Sequence, residues 1–207
     1  MGLLRKYFNQ TRKPEGILGK IMVLGMNPGH AKMADWGLAH LKYGEPQAIV
    51  DLGCGGGRNA GALLRKYPEA HVTAMDYSEV SVKKAAACNK AAIAAGRCEV
   101  LQGDVSAIPL GDEQFELATA FETIYFWPGL AQCFGEVARV LKPGGRFLIV
   151  NESDGHDEAG KKFESVIDGM RVYTATEIET ALRQAGFSEV RCGHHRRKPW
   201  IVVLARK

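Results

Sequence analysis

An apolar run that breaks into alternating glycines and resumes as an alanine- and leucine-rich segment leaves few folds open to a chain. Here that run is Ile49-Val50-Asp51-Leu52-Gly53-Cys54-Gly55-Gly56-Gly57-Arg58-Asn59, which predicts a buried strand, a tight turn and a helix in immediate succession. Glycine at positions 53, 55 and 57 lets the backbone bend sharply and approach a ligand where a Cβ would stand in the way. The helix opening near Arg58 aims its unpaired N–H groups at the same spot, which favours a carboxylate or a phosphate. Glycines after a strand also serve close strand-to-helix packing, so the turn alone does not establish a binding site.

The next segments narrow the choice. The strand Val72-Thr73-Ala74-Met75 ends in Asp76, 19 residues beyond Gly57, where an acidic side chain can accept hydrogen bonds from two ribose hydroxyls. Either NAD or an adenosine-type cofactor suits that acid. A further short strand, Cys98-Glu99-Val100-Leu101, leads to Gly103-Asp104-Val105, which offers a carboxylate and a backbone N–H to an adenine edge.

Taken as a set, Asp51-x-Gly53-x-Gly55-x-Gly57, Asp76, Gly103-Asp104-Val105 and the segment Glu136-Val137-Ala138-Arg139-Val140-Leu141-Lys142-Pro143-Gly144-Gly145 resemble the class I methyltransferases that use S-adenosylmethionine, and in particular their small-molecule, type-11-like members. The resemblance is strong over 46–150, looser toward the C-terminus and absent over 1–45. It implies a Rossmann-like α/β fold: a seven-stranded, mostly parallel sheet with an antiparallel C-terminal strand and helices on both faces. It also implies S-adenosylmethionine as cofactor and S-adenosylhomocysteine as product. Carried over position by position, Asp51, Gly53, Gly55 and Gly57 would hold the methionine end, with Phe121 and Glu122 after the fourth strand. Asp76 would hold the ribose, with Tyr77 beside it among the cofactor contacts, and Asp104 with Val105 would meet the adenine.

Physical chemistry separates this reading from a dehydrogenase. A dinucleotide turn spaces its glycines G-x-G-x-x-G, whereas here the third glycine falls one place early and Arg58 follows it. The carboxylate of Asp51 would repel a pyrophosphate. Beside the ammonium and sulfonium of S-adenosylmethionine it attracts, by roughly 4 kcal/mol for close charges at an effective dielectric near 20, before desolvation.

With 207 residues, 46% hydrophobic and 24% charged, the chain reads as a single globular unit, a methyltransferase domain over 46–207 preceded by a helical extension over 1–45. Arg5, Lys6, Arg12, Lys13 and Lys20 interrupt the N-terminal apolar residues, so neither a secretory signal nor a membrane span is expected and a cytoplasmic protein is. Cys54, Cys88, Cys98, Cys133 and Cys192 are odd in number and lack CxxC pairs, which fits reduced structural thiols and no metal site. Cys54 reads as a small filler. The net charge of +4 is modest, and its one basic cluster, His194-His195-Arg196-Arg197-Lys198, falls between two expected strands as a solvated hairpin tip. A nucleic-acid binder would spread such residues along a face.

Before the first strand, Ile17, Ile21 and Leu24, then Trp36, Leu38 and Leu41, recur at helical spacing around Asn27-Pro28-Gly29, predicting two helices with a bend. Asp35 is placed to cap the helix carrying Trp36, and Met22, Met26 and Met33 read as core. By resemblance this segment closes over cofactor and acceptor. From 46 onward strands and helices alternate, including one long helix from the cap Ser78 to Ala95, ended by Gly96, and another from a capping box at Thr176 and Glu179 to Gly186. Pro143-Gly144 is expected to stop the helix before the fifth strand. The strands Glu189–Cys192 and Trp200–Ala205 are expected to form an antiparallel pair.

Ligands of open parallel sheets bind beyond the carboxyl ends of the strands. That gathers the Gly53 turn, Asp76, Asp104, the segment Phe121-Glu122-Thr123-Ile124-Tyr125-Phe126-Trp127 and the polar loop around His156 at one edge. Trp36, Tyr125 and Trp127 are the expected acceptor-binding aromatics. A sulfonium is already an activated electrophile, so alignment and exclusion of water dominate; if a base assists, His30, Glu122 and His156 are the candidates, in that order. The resembled enzymes that methylate nucleobase amines or glutamine amides carry Asn or Asp-Pro-Pro-Tyr after this strand, and Phe-Glu-Thr-Ile stands here. The expectation is therefore a small-molecule methyltransferase. Methylation of protein or tRNA, and a non-catalytic cofactor-binding scaffold, are the alternatives.

Overall fold

The computed structural model describes residues 30–42 and 44–207; Ile17, Ile21, Leu24, Met22, Met26 and the expected bend at Asn27-Pro28-Gly29 lie outside them. Helix α1 (Ala31–Leu38) precedes strand β1 (Ala48–Leu52), helix α2 (Arg58–Lys66) and strand β2 (His71–Asp76). Helices α3 (Glu79–Cys88) and α4 (Lys90–Ala94) lead to β3 (Cys98–Gln102) and β4 (Phe115–Phe121). A 3₁₀ turn (Ile124–Phe126), α5 (Leu130–Val140), β5 (Leu141–Asn151), α6 (Glu158–Val166), α7 (Ala175–Gln184), β6 (Glu189–His194) and β7 (Ile201–Arg206) complete the order.

The seven strands form one sheet in the order β3-β2-β1-β4-β5-β7-β6. β1 to β5 pair in parallel, and β7 runs antiparallel to both of its neighbours. Central strands covered on both sides must be apolar nearly throughout, and β1 shows it: Val50 and Leu52 belong to the cluster packed with α5 and α7, Ile49 to the cluster under α1, α2 and α3. Burying each of these side chains contributes on the order of 1.5 to 3 kcal/mol. Asp51 shares the face of Ile49 because side chains alternate along a strand, and its register partner on β4 is Thr119.

Four expectations shift. Asp35 lies inside α1, where it pairs with Arg58 at 2.6 Å instead of capping; the N-cap position is His30. The long helix breaks at Asn89, whose side-chain amide donates to the carbonyls of Gly57 (2.9 Å) and Ala85 (3.0 Å), a side-chain bond that competes with continued helix. The capping box sits at Thr174 and Glu177, with Thr176 already inside α7. T-x-x-E occurs twice here, and the first copy stands at the chain's true turn. Helix α5 ends at Val140, and Pro143-Gly144-Gly145 fall inside β5, where the pairing with β4 shifts register between Phe115 and Leu117.

Candidate cofactor and acceptor site

In the order β3-β2-β1-β4 the connection reverses direction beside β1, so the carboxyl ends of β1 and β4 diverge into a crevice. A cavity occupies it. Its lining includes Gly53, Gly55 and Gly56 of the turn, Met75, Asp76 and Tyr77 at the end of β2, Ser81, Gly103, Asp104 and Val105 after β3, and Phe121 to Thr123 with Phe126 to Pro128 after β4.

The turn is held from both sides. The N–H groups of Gly53 (2.8 Å) and Cys54 (2.9 Å) donate to the Met75 carbonyl, and the Gly55 N–H donates to Asp76 Oδ2 at 2.9 Å. Asp76 Oδ1 accepts from the Ser78 N–H at 2.9 Å. Burial raises the Asp76 carboxyl above the usual carboxylate range, against these amide bonds. Two glycines show why no other residue serves. At Gly55, which lines the cavity, φ is +52° and a Cβ would meet nothing within 4 Å. At Gly57, with φ +78°, it would lie 2.6 Å from Asn89 Nδ2 and 2.7 Å from Ala85 Cα. Gly53 yields to a different neighbour: a Cβ there would sit 2.1 Å from Thr123 Oγ1, the atom that accepts the Trp127 indole N–H at 3.2 Å. Trp127 stacks on Phe147 of β5 with ring centroids 6.2 Å apart.

Asp51 does not line the cavity. It is buried beneath the turn, accepting from Thr119 Oγ1 at 2.7 Å through Oδ1, while Oδ2 has no hydrogen-bond partner among the described residues. Desolvation pushes its carboxyl up to about 7. A buried acceptor left unmatched under a ligand turn fits a cationic guest above it. Asp104 lines the cavity, and hydrogen bonds from the hydroxyl and N–H of Ser106 hold its carboxyl below the usual range. Cys54 is buried with its thiol pushed well up, as a filler would be.

On the acceptor side Glu122 adopts φ +59°, a conformation L side chains rarely take, and so turns its carboxylate back under the loop after β5. Its Oε1 accepts the Glu152 N–H and the Tyr125 hydroxyl, and burial pushes the carboxyl up to about 8. His30 Nδ1 stands 3.6 Å from Oε2, and burial lowers the imidazole, opposed by the charge of Glu152. Tyr125 is buried behind Glu122, its hydroxyl also accepting the Ser153 N–H at 3.1 Å. Trp36 lies outside the cavity lining, since α1 buries Met33, Ala34, Gly37 and Leu38. Its ring instead meets His40 (4.9 Å), His195 (5.5 Å) and Trp200 (6.0 Å) at the β6–β7 turn. His156 is exposed in its loop, outside the lining. The sequence reading passed over Ser81 and Pro128. Ser81 stands one helical turn from the cap Ser78, a spacing that marks it as facing the same way.

The family model described as a methyltransferase domain matches residues 50–149. Sterol methyltransferase-like 2 of Botryococcus braunii is 36% identical over 149 residues, covering 67% of this chain and 38% of that protein; the chain thus spans well under half the length of that relative. A Haloferax volcanii protein solved in complex with a methyltransferase activator superposes with TM-score 0.82 at 20% identity, covering 90% of this chain and 93% of the other. Human N-acetylserotonin methyltransferase, solved with S-adenosylmethionine, gives TM-score 0.76 at 17% identity, over 92% of this chain and 56% of that one. No helix among the described residues is long and apolar enough to cross a membrane. Sequence match, sheet order and crevice agree, and the chain belongs to the class I, S-adenosylmethionine-dependent methyltransferase family.

Proposed function

We propose that the chain transfers a methyl group from S-adenosylmethionine to a small-molecule acceptor by direct in-line displacement. The observation that carries this is one cavity lined at once by Gly53, Gly55, Asp76, Asp104 and Glu122, with the unmatched Oδ2 of Asp51 buried beneath its floor. Bound there, the cofactor would supply a methyl group on a positively charged sulfur. The glycine turn would admit its methionine end, Asp51 would favour its positive charge from below, and Asp76 with Tyr77 would meet the ribose. Asp104 and Val105 would face the adenine, and the backbone at Phe121 and Glu122 would close the inner end.

His30 and Glu122 are the polar groups placed to orient the acceptor's nucleophile, with Trp127 and Phe126 excluding water; Tyr125 supports Glu122 from behind, and His156 is the weaker candidate. All five cysteines are free thiols, which supports a reducing, cytoplasmic setting.

Methylation of protein or tRNA is the second reading. Asn151 at the end of β5 pairs with Ile201, which pairs with His194, so the Arg196-Arg197-Lys198 turn lies at the ligand edge of the sheet. Calorimetry with S-adenosylhomocysteine and NAD side by side tests the cofactor: the first should bind, and Asp76→Ala should weaken it by roughly 1 to 3 kcal/mol through lost charge-assisted hydrogen bonds. Binding of NAD alone would overturn the proposal. Turnover of S-adenosylmethionine with a metabolite panel, against tRNA and protein substrates, separates the two acceptor classes, and binding without any turnover would mark a scaffold.

A further inference from the structure

The acceptor side holds a feature that cofactor binding does not use. His30, Glu122 and Glu152 each offer a ligand atom, and the three atoms lie within 4.8 Å of one another. His30 Nδ1 and Glu122 Oε2 stand 3.6 Å apart, too far for a hydrogen bond. Ligands held about 2.1 Å from one ion, however, stand roughly 3.0 Å apart at a right angle and roughly 3.6 Å apart at 120°. The separation matches that of two ligand atoms on one ion.

The chemistry of the set agrees with the distance. Glu122 Oε1 is already occupied by the Glu152 N–H and the Tyr125 hydroxyl, which fixes the carboxylate and leaves Oε2 facing the imidazole. The exposed Glu152 carboxylate and that of Glu122 converge on one point, and neither pairs with a lysine or arginine among the described residues. One imidazole and two carboxylates suit a divalent transition ion such as manganese, cobalt or zinc better than calcium or magnesium, which prefer oxygen alone.

We propose that His30 Nδ1, Glu122 Oε2 and a Glu152 carboxylate oxygen bind one divalent transition-metal ion at the mouth of the acceptor side, leaving open positions toward the cavity that Glu122 lines. This rests on the acceptor reading only for its purpose: an ion there would present a Lewis acid to an oxygen-bearing acceptor. The binding itself stands on the three side chains.

Chelator-treated protein titrated with manganese(II) and cobalt(II), by calorimetry and cobalt absorption, tests it without any turnover. The expected result is one ion per chain, at least tenfold weaker in His30→Ala and in Glu152→Gln, and unchanged in His195→Ala; melting curves of the same variants show whether each is folded. Both side chains are near the surface, so their replacement leaves the core intact. Absence of saturable uptake up to about 1 mM, where the binding free energy is only about 4 kcal/mol, would overturn the proposal. So would uptake that persists in the double variant. Binding of S-adenosylhomocysteine, measured on the same wild-type sample, keeps the two readings apart: a chain that takes the cofactor product but no ion loses this inference alone, and one that takes the ion but not the product loses the proposed function.

Discussion

Gly55→Ala and Gly57→Ala are chemically identical substitutions, two residues apart in one turn, and the structure assigns them opposite consequences. Both positions have left-handed backbone, φ +52° and +78°, so alanine costs about 1 to 2 kcal/mol at either. For a chain of this length 1 kcal/mol lowers Tm by roughly 2 to 4 °C. At Gly55 nothing further is lost, because the new Cβ has no neighbour within 4 Å. Gly55 lines the cavity, so a ligand packed against the turn there has to make room for the added methyl group. The loss of S-adenosylhomocysteine affinity should be at least tenfold, or about 1.4 kcal/mol. At Gly57 the methyl group collides with Asn89 and with the backbone of Ala85, adding about 1 to 3 kcal/mol of overpacking. Its Tm should fall clearly below that of the Gly55 variant. Calorimetry with S-adenosylhomocysteine, alongside thermal melts with and without it, reads both effects. A Gly55→Ala protein that binds within about twofold of wild type, under 0.5 kcal/mol, would refute the placement of the cofactor in this cavity.

Two further outcomes follow from the same geometry. Asp51 is pushed up to about 7 by burial, so between pH 4 and that value the folded chain holds a proton that the unfolded chain has released. Its contribution to the stability of the ligand-free chain is whole below about pH 4 and is lost as pH rises through about 7; urea unfolding at pH 5 and pH 8 should show a smaller decline in Asp51→Asn than in wild type, and an equal decline would remove the assignment. The hydroxyl of Thr174 caps α7, so Thr174→Ala should cost about 1 kcal/mol in urea unfolding, whereas Thr176→Ala, inside the helix, should cost much less; the reverse ranking would move the helix start back to Thr176.

The sheet and the lining of the cavity were legible because each rests on local signals that agree. Ile49 to Leu52 is apolar but for Asp51, the glycines that follow tolerate positive φ, and Asp76 closes the next strand, so strand, turn and acid are fixed by residues within one another's reach. The misplaced features depend on partners far along the chain. Helix α3 ends at Asn89 because Gly57, 32 residues earlier, offers a carbonyl. Asp35 is drawn from the capping role to Arg58, 23 residues on. Trp36 was expected at the acceptor as an aromatic of the segment thought to close over the site; the packing of α1 on the sheet carries it instead to Trp200. Glu122 was legible as a candidate, yet its buried carboxylate facing His30 depends on the φ +59° backbone, which nothing in Phe-Glu-Thr-Ile announces.

The knot of Gly53, Thr123, Trp127 and Phe147 ties the glycine turn to the segment after β4, the proposed donor and acceptor sides of the cavity. A bulkier residue at 123, or the loss of the indole at 127, would therefore be felt at the donor as well as at the acceptor. Phe126 and Pro128 line the same hollow, and their side chains make none of the hydrogen bonds that tie the knot together. Divergence toward a new acceptor has its open route through those two positions, and libraries built to retarget the chain should vary them while keeping 53, 123 and 127 as they are.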